Sequence, residues 1–368
     1  MIDQDEQLKF RIALTLIPGV GSVLAKNLVS YCGGVEDVFR RKKYQLEKIP
    51  GIGGEKAQAI VNHNVFERAE AEVSFIRKHG ISTYFFLDAE YPTRLKNCDD
   101  APVLLFYKGN ADLNAVRMVA IVGTRLATPY GRLITEQLVA GFAKYEVTVV
   151  SGLALGIDII AHKASLKQQV PTIGVLAHGL DRIYPSDHKP VAEKIVKHGG
   201  LLTEFPSKTI PDRENFPSRN RIVAGMTDAT IVVESASKGG ALITADIANS
   251  YNRDVFAIPG KVGDKYSEGC HELIRNNKAM LVESAEQVAE LLNWNDQPAA
   301  QPLQLKFFHE LKDEEKVLVK LLQENGKQAI DNLMLQSKMP ASRVSSVLLN
   351  LEFAGLLRSL PGKVYELI

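Results

Sequence analysis

Residues 213–248 read RENFPSRNRIVAGMTDATIVVESASKGGALITADIA, and the rest of the chain is organised around this stretch. Three arginines, Arg213, Arg219 and Arg221, lie at its start with Phe216 among them. An apolar strand (ATIVVE) follows, and a glycine turn then begins a helix. Guanidinium groups pair with phosphates, aromatic rings stack on bases, and a glycine turn at a helix start offers N–H groups to an anion. The stretch therefore indicates a surface for a base-carrying polyanion, with structural ion pairs at an ordinary helix start as the alternative.

Six short apolar runs alternate with helical stretches between residues 116 and 292. They are RMVAIVG, VTVVSG, TIGVLAHG, LLTEF, ATIVVES and DVFAIPG. This alternation predicts an α/β domain with a Rossmann-like, doubly wound, mostly parallel sheet. Ligands of such sheets bind at the carboxyl ends of the strands. Arg125 follows the first run, so we expect it to grip a phosphate on the same rim as the arginines of residues 213–221.

The N-terminal region contains an internal repeat with a period of 32 residues. Residues 17–21 read IPGVG and residues 49–53 read IPGIG, and helical sequence follows each copy. This is the helix-hairpin-helix pattern, whose turn and following helix start can hold a backbone phosphate through N–H groups. Few basic residues flank the first turn, so hairpins that only pack helices together remain the alternative.

Four segments follow from these patterns. We predict a helix-hairpin-helix (SAM-like) domain at residues 1–80 and a Rossmann-like DNA-binding domain at residues 81–295, of which 81–110 form a lead-in. An Ala/Gln/Pro-rich linker at 296–311 then precedes a winged helix at 312–368. Residues 312–368 contain eight Lys and Arg against seven Asp and Glu, which favours protein docking at least as much as DNA binding.

The composition excludes several classes of protein. The 368 residues carry a formal net charge of only +1, so any anion site must be a local cluster. Three separated cysteines without a CxxC pair predict neither a disulfide framework nor a zinc site. The acidic start and the absence of an 18-residue apolar run predict neither a secretory signal nor a membrane span, so we expect a cytoplasmic protein without membrane contact.

Known catalytic motifs are absent from the sequence. GTRLATPYG replaces the dinucleotide fingerprint after the first strand, and no Walker A or nucleophile-elbow motif occurs. A triad drawn from Ser151, Asp158, His162 and His178 is disfavoured, because GIDIIAHKA explains Asp158 and His162 as an i,i+4 pair on one helix. The same pair lacks a third metal ligand. We therefore predict no catalytic residues, no cofactor and no metal.

Four motifs in order carry a family resemblance. They are GTR at 123–125 with YG at 130–131, SGLALGID at 151–158 with AH at 161–162, FPSRNRIVAG at 216–225, and VFAIPG at 255–260. Together they resemble the DNA-processing protein A family (DprA, also called Smf). The resemblance implies a bacterial, non-enzymatic protein that binds and protects incoming single-stranded DNA and loads RecA recombinase during natural transformation. It also implies a homodimer, with single-strand-binding protein as a further candidate partner.

The resemblance also assigns the site residues. Implied DNA contacts are Gly123, Thr124, Arg125, Ser151, Gly152, Arg213, Phe216, Arg219, Asn220, Arg221, Lys238, Gly239 and Gly240. Arg213 would hold a phosphate and Phe216 would stack on a base. The Lys-Gly-Gly turn at 238–240 departs from the Ser-Gly more usual there, which removes a hydroxyl donor. Leu273, Ile274 and Leu281 are the candidate dimer interface.

Two other functions remain open at this point. A nucleotide-binding hydrolase on the same rim would use Glu204 or Glu234 at a strand end, where burial can raise a carboxyl pKa. The competing interpretation is that both acids bond to backbone N–H groups or to the rim arginines. A duplex-DNA regulator would work through the winged helix, which its near-neutral charge disfavours.

Overall fold

The computed structural model describes residues 4–294, 312–353, 356–360 and 363–367. The chain forms two compact units, Met1–Asn295 and Asp296–Ile368. The linker predicted at 296–311 lies outside the described residues. The segment boundaries drawn from the sequence stay predictions.

Six helices precede the sheet: α1 (Gln4–Leu16), α2 (Ser22–Cys32), α3 (Val35–Arg40), α4 (Lys43–Leu46), α5 (Gly54–Val61) and α6 (Phe66–His79). Both predicted hairpin turns form, before α2 and before α5. Gly19 and Gly51 adopt φ of +77° and +84°, a region in which a side chain is strained, so these two turns require glycine. The helices share a hydrophobic core with Phe85, Leu104 and Phe106 of the sheet edge, which makes them part of the first unit.

Nine strands build the central sheet: β1 (Ser82–Phe85), β2 (Leu104–Gly109), β3 (Met118–Val122), β4 (Thr148–Ser151), β5 (Thr172–Val175), β6 (Gly199–Thr203), β7 (Ala229–Val232), β8 (Asp254–Ala257) and β9 (Met280–Leu281). Their order is β1-β2-β6-β5-β4-β3-β7-β8-β9. Neighbouring strands pair in parallel throughout the run β6-β5-β4-β3-β7-β8-β9. At the other edge, β2 pairs antiparallel with β6 and β1 pairs antiparallel with β2. The predicted mostly parallel sheet is confirmed, and the six apolar runs are β3 to β8.

Helices follow the strands and cover both faces of the sheet: α7 (Thr93–Lys96), α8 (Pro129–Phe142), α9 (Ile157–Gln168), α10 (Lys189–His198), α11 (Asn215–Gly225), α12 (Gly240–Ser250), α13 (Glu268–Arg275) and α14 (Ala285–Leu291). Every residue of β3 is buried, as expected for a central parallel strand. The chain runs from β3 to β4 on one side and later places β7 on the other. The strand order therefore reverses at β3, which is where ligands of open α/β sheets bind.

An arginine ties the lead-in segment to the start of the parallel strands. Arg94 donates to both carboxylate oxygens of Asp228, at 2.7 and 3.0 Å, and to the backbone oxygens of Ala115 and Val116. Asp228 in turn accepts a hydrogen bond from the backbone nitrogen of Met118. This bidentate pair fixes α7, in the segment between β1 and β2, against the starts of β3 and β7.

The second unit is a small helical domain with a three-stranded sheet. Its elements are α15 (Asp313–Asn325), β10 (Gln328–Ala329), α16 (Ile330–Ser337), α17 (Ala341–Phe353), β11 (Leu357–Leu360) and β12 (Val364–Leu367). The strand order is β10-β12-β11, and both pairings are antiparallel. The three helices and the two C-terminal strands match the predicted winged helix, and β10 is a short strand that the sequence did not reveal.

Across both units, the described helices fall short of the length and hydropathy that a bilayer crossing requires.

Candidate nucleic-acid interface

A depression opens at the carboxyl ends of β3, β4 and β5. Residues that line it include Arg125, Gly152, Leu155, His178, Tyr184 and Phe216. Its position beside the reversal of strand order agrees with the ligand edge of open α/β sheets. Several residues predicted from the sequence therefore meet here, although they come from loops far apart in the chain.

The loop after β3 is held tightly at its base and presents Arg125 at its tip. The backbone nitrogen of Thr124 donates to the carbonyl of Glu234 at 2.7 Å, and its carbonyl accepts from Ile157 at 3.1 Å. A Cβ on Gly123 would lie 2.5 Å from Ile157, so only glycine fits between the end of β7 and the start of α9. Arg125 is exposed and has no ion-pair partner in the described part of the chain. Its charge is therefore available to an anion.

Two aromatic rings stand beside this arginine. The guanidinium carbon of Arg125 lies 5.3 Å from the ring centroid of Phe216, which is within cation–π distance. The ring of Tyr184 lies 6.4 Å from that of Phe216 at an angle of 51°. Tyr184 is 52% exposed and was not identified from the sequence. The available signal was an aromatic residue in the loop between β5 and α10, because that loop leaves β5 at the same rim.

Arg219 lines the depression, as the sequence predicted for a site residue, but it is not exposed on the rim. It is only 4% exposed, and its Nη1 donates to the carbonyls of Gly152 and Val175, the latter at 2.6 Å. Its Nε donates to the Asn220 side chain at 3.1 Å. A Cβ on Gly152 would collide with this guanidinium. Arg219 therefore holds the ends of β4 and β5 together, and the Asn220 side chain helps to fix the position of its guanidinium.

A buried carboxylate completes the support beneath the loop after β4. Asp158 accepts hydrogen bonds from the backbone nitrogens of Gly152 and Ala154, at 3.1 and 3.4 Å. Burial raises the pKa of Asp158, and the charge of Arg219 and the two amides oppose that rise. Ser151, one of the implied DNA contacts, is fully buried, and its hydroxyl donates to the carbonyl of Ile121 at 2.6 Å. It therefore joins β4 to β3 below the surface.

Arg221 lies on a different side of α11 from Arg219. It donates to the Glu204 carboxylate and to the carbonyl of Asp100, and both members of the ion pair are largely buried. The prediction that Arg221 completes the exposed rim is therefore wrong. Burial raises the pKa of Glu204, and the charge of Arg221 opposes that rise. This ion pair agrees with the competing interpretation given above, in which the strand-end acids bond to arginines instead of acting in catalysis.

Glu234 is also engaged in structural hydrogen bonds. Its carboxylate accepts from the Thr128 backbone nitrogen at 3.0 Å and from the Thr128 hydroxyl, at the start of α8. Both acids proposed for a hydrolase thus have structural partners. In addition, no group of three His, Cys, Asp or Glu residues within the described ranges is placed to hold a metal ion.

Two further cations flank the same edge. Arg213 precedes α11 and Lys238 precedes α12, and both are exposed, with no ion pair to another described residue. Gly240 begins α12 in open space, whereas a Cβ on Gly239 would lie 2.2 Å from the Ser235 hydroxyl. The turn that lacks the more usual serine therefore still presents backbone N–H groups beside a free lysine.

The candidate dimer residues separate into two groups. Leu273 is 3% exposed and packs in the main core, with the partly buried Ile274 against that core. The side chain of Leu273 is therefore internal, because α13 directs it toward the sheet. Leu281 is 47% exposed on the edge strand β9, next to the exposed Met280. Only this end of the predicted set lies on the surface.

Three family models match the chain. One described as DNA recombination-mediator protein A covers residues 82–293, one described as DprA winged helix domain covers 297–363, and one described as SAM-like helix-hairpin-helix tandem covers 10–63. Protein Smf of Synechocystis is 32% identical in an alignment of 394 positions that covers 96% of this chain and 97% of that relative. DNA processing protein DprA of Bacillus subtilis is 39% identical over 240 residues, which cover 64% of this chain and 80% of that relative.

Solved structures agree with these matches. DNA processing protein A from Streptococcus pneumoniae aligns with a TM-score of 0.63 and 34% identity over 77% of this chain and 97% of that chain. DNA processing protein A from Helicobacter pylori, studied for its single-stranded DNA binding mode, aligns with a TM-score of 0.53 and 30% identity. The alignment covers 58% of this chain and 95% of that chain.

The different positions of Arg219 and Arg125 lead to opposite expectations for stability. We expect Arg219→Ala to lower the free energy of unfolding by about 2–4 kcal/mol, because two buried carbonyls lose a charged donor. The matched variant Arg125→Ala removes an exposed side chain and changes it by less than about 0.5 kcal/mol. Urea unfolding of both variants measures the difference. Equal stability of the two would contradict the bracing role of Arg219.

Proposed function

Because the chain belongs to the DNA recombination-mediator protein A family, we propose that it binds single-stranded DNA at the carboxyl ends of β3, β4 and β5. The observation that carries this proposal is the unpaired Arg125 beside the Phe216 and Tyr184 rings. A cation next to stacking faces suits a strand whose bases are free, since stacking tolerates any base. A duplex keeps its bases stacked inside and offers no such face.

The distribution of charge supports a local binding track. The chain has a net charge of +1, so attraction to DNA must come from side chains without acidic partners. Arg125, Arg213 and Lys238 meet that condition among the described residues near this edge. Each phosphate that such a residue neutralises releases counterions, so binding weakens as salt rises.

The winged-helix unit has poor chemistry for a phosphate backbone. Arg343 is the basic residue of α17, and its guanidinium pairs with Glu314 of α15 at 2.8 Å. Exposed apolar side chains lie on α16 and α17, at Leu335 and Leu349. We therefore assign this unit to protein docking rather than to duplex DNA.

The finer proposal is that the chain protects incoming single strands and loads RecA recombinase onto them during natural transformation. It rests on family membership together with the single-strand site, and it includes a homodimer. Single-strand-binding protein is a further candidate partner in this role. Edge strand β9 with the exposed Leu281 is the part of the predicted interface that remains a candidate for dimer contact.

The second candidate is a nucleotide hydrolase on the same rim. It needs a free acid, and both Glu204 and Glu234 are held by structural partners. Incubation with AMP separates the two functions, because a hydrolase releases product and a strand-binding protein does not.

We expect the intact protein to bind a fluorescent oligo-dT more tightly than a duplex of equal length. Fluorescence anisotropy at two salt concentrations gives both affinities, and the single-strand affinity should fall with salt, with a slope of about −0.7 per phosphate neutralised. A duplex preference, or no salt dependence, would reject the proposed site.

We expect Arg125→Ala and Phe216→Ala each to weaken oligo-dT binding by about 1–3 kcal/mol, through loss of a phosphate contact and of a stacking face. Lys278→Ala and Tyr44→Ala are the matched controls, because they remove an exposed cation and an exposed aromatic distant in sequence from the rim. Unchanged affinity in both rim variants would refute the residue assignment.

Removal of residues 296–368 should leave oligo-dT affinity within about twofold, since the proposed strand contacts lie in the first unit. Loss of RecA loading in the same variant would assign the docking role to the second unit. Loading is measured as RecA ATPase activity on a strand coated with single-strand-binding protein. A truncated protein that no longer binds DNA supports the winged-helix regulator instead.

A further inference from the structure

Residues 40–48, among the N-terminal helices, carry the densest positive charge in the sequence. They read RRKKYQLEK, with five Lys or Arg against one Glu, which gives a local net charge of +4 in a chain whose total is +1. Arg40 and Lys43 lie 3.7–3.9 Å from acidic side chains of nearby residues. Arg41 and Lys48 are exposed and form no ion pair within the described ranges. Their charge is therefore open to an anion.

A depression in this domain brings those two cations together with an aromatic ring. It lies at the C-terminal end of α2, and its lining consists of Tyr31, Cys32, Arg41, Gln45, Lys48 and Ile49. We call it the N-terminal depression. Tyr31 is 61% exposed, and its ring takes part in no ring–ring or cation–π contact with a described residue. An aromatic face that is open to this degree beside two cations is available for stacking.

Arg41 is held at the N-terminal depression by the end of α2. Its Nη2 donates to the carbonyl of Cys32 at 3.2 Å. That carbonyl belongs to the last residue of the helix and has no acceptor role in the helix itself, so the arginine satisfies it. A guanidinium has five N–H donors, and this bond leaves others for a phosphate. The side chain is therefore oriented before a ligand arrives, which lowers the entropy cost of binding.

The position at a helix C-terminus explains why side-chain cations are needed here. A hairpin turn holds phosphate through N–H groups at the start of the following helix, where the helix dipole is positive. Tyr31 lies instead at the negative end of α2, where the dipole disfavours an anion. Arg41 and Lys48 supply the positive charge that the backbone cannot. The N-terminal depression is thus a different kind of anion site from the hairpin turn, and it contains none of the residues that line the rim.

We propose that the N-terminal depression is a second nucleotide site, in which the Tyr31 ring stacks on a base while Arg41 and Lys48 hold the attached phosphate. One exposed ring beside two unpaired cations matches the base and the phosphate of a single nucleotide. That nucleotide is a residue of a DNA strand or a free mononucleotide, since both carry this chemistry. The inference goes beyond the proposed function, because the rim takes no part in it.

The full-length protein with Arg125→Ala and Phe216→Ala, the rim-weakened protein, isolates the second site. We expect it to keep salt-sensitive binding of a fluorescent thymidine hexamer at low salt, measured by anisotropy. Adding Arg41→Ala with Lys48→Ala should weaken that binding at least about fivefold. Adding Arg40→Ala with Lys43→Ala removes the same charge from outside the depression and should change it less than about twofold. Equal losses in the two variants, or no hexamer binding by the rim-weakened protein, would overturn the inference.

Two tyrosines test the stacking contact without a change of charge. Tyr31→Ala in the rim-weakened protein should lower hexamer affinity at least about fivefold, and Tyr31→Phe should restore it because the ring remains. Tyr44→Ala is the matched control, because Tyr44 is 58% exposed but does not line the depression. Unchanged affinity in Tyr31→Ala would refute the site. Because these effects are measured with the rim already weakened, their failure leaves the proposed function standing, whereas a rim that is indifferent to its own two substitutions refutes the proposed function alone.

Competition against the bound hexamer identifies the source of the nucleotide. Displacement by thymidine 5′-monophosphate, lost with Arg41→Ala and Lys48→Ala, assigns a free mononucleotide. Displacement by unlabelled hexamer alone assigns a residue of a strand. A polyglutamate peptide that displaces the hexamer as well as the unlabelled strand does would identify a surface for an acidic protein and overturn the nucleotide assignment.

Discussion

The buried guanidinium of Arg219 is the interaction on which the site depends. Strands β4 and β5 end side by side, and parallel strands leave carbonyls at their ends without ladder partners. Arg219 donates to one carbonyl at each end, those of Gly152 and Val175. Asp158 holds the amides of the same loop from the other direction. These groups satisfy each other below the surface and so join the ends of β4 and β5 beneath the loops that carry the site.

That arrangement separates two kinds of arginine that look alike in the sequence. A guanidinium that donates to backbone carbonyls or to a carboxylate has fewer donors left for a phosphate, and this applies to Arg219 and Arg221. Arg125 keeps its donors free because its loop is fixed through backbone bonds of Thr124 instead. A nearly neutral protein can therefore present a cationic rim, provided that the cations in use are those without internal partners.

The sheet could be predicted from the sequence because central parallel strands are buried on both faces and appear as continuous apolar runs. The sequence indicated many residues of the site, but it did not indicate in which direction their side chains point. On α11, Arg219 shares a face with the buried Ile222 and Val223, so helical phase would have placed it inside. Leu273 on α13 follows the same rule, since it is one turn from the buried Cys270. Tyr184 belongs to an irregular loop, where no period gives the side-chain direction.

The carboxylate of Glu72 on α6 links the N-terminal helices to the loop before α11, two regions that the sequence presents as separate modules. Its carboxylate binds the backbone nitrogen of Ser207 at 2.8 Å and the Ser207 hydroxyl at 2.5 Å, and Arg68 pairs with it. Ser207 lies in the segment that runs from β6 to Arg213. The N-terminal helices therefore act as a scaffold for the approach to the rim, whatever their own hairpins contact. A graft that exchanged these helices for another hairpin pair would have to supply an acid at this position, or that anchor of the loop before α11 would be lost.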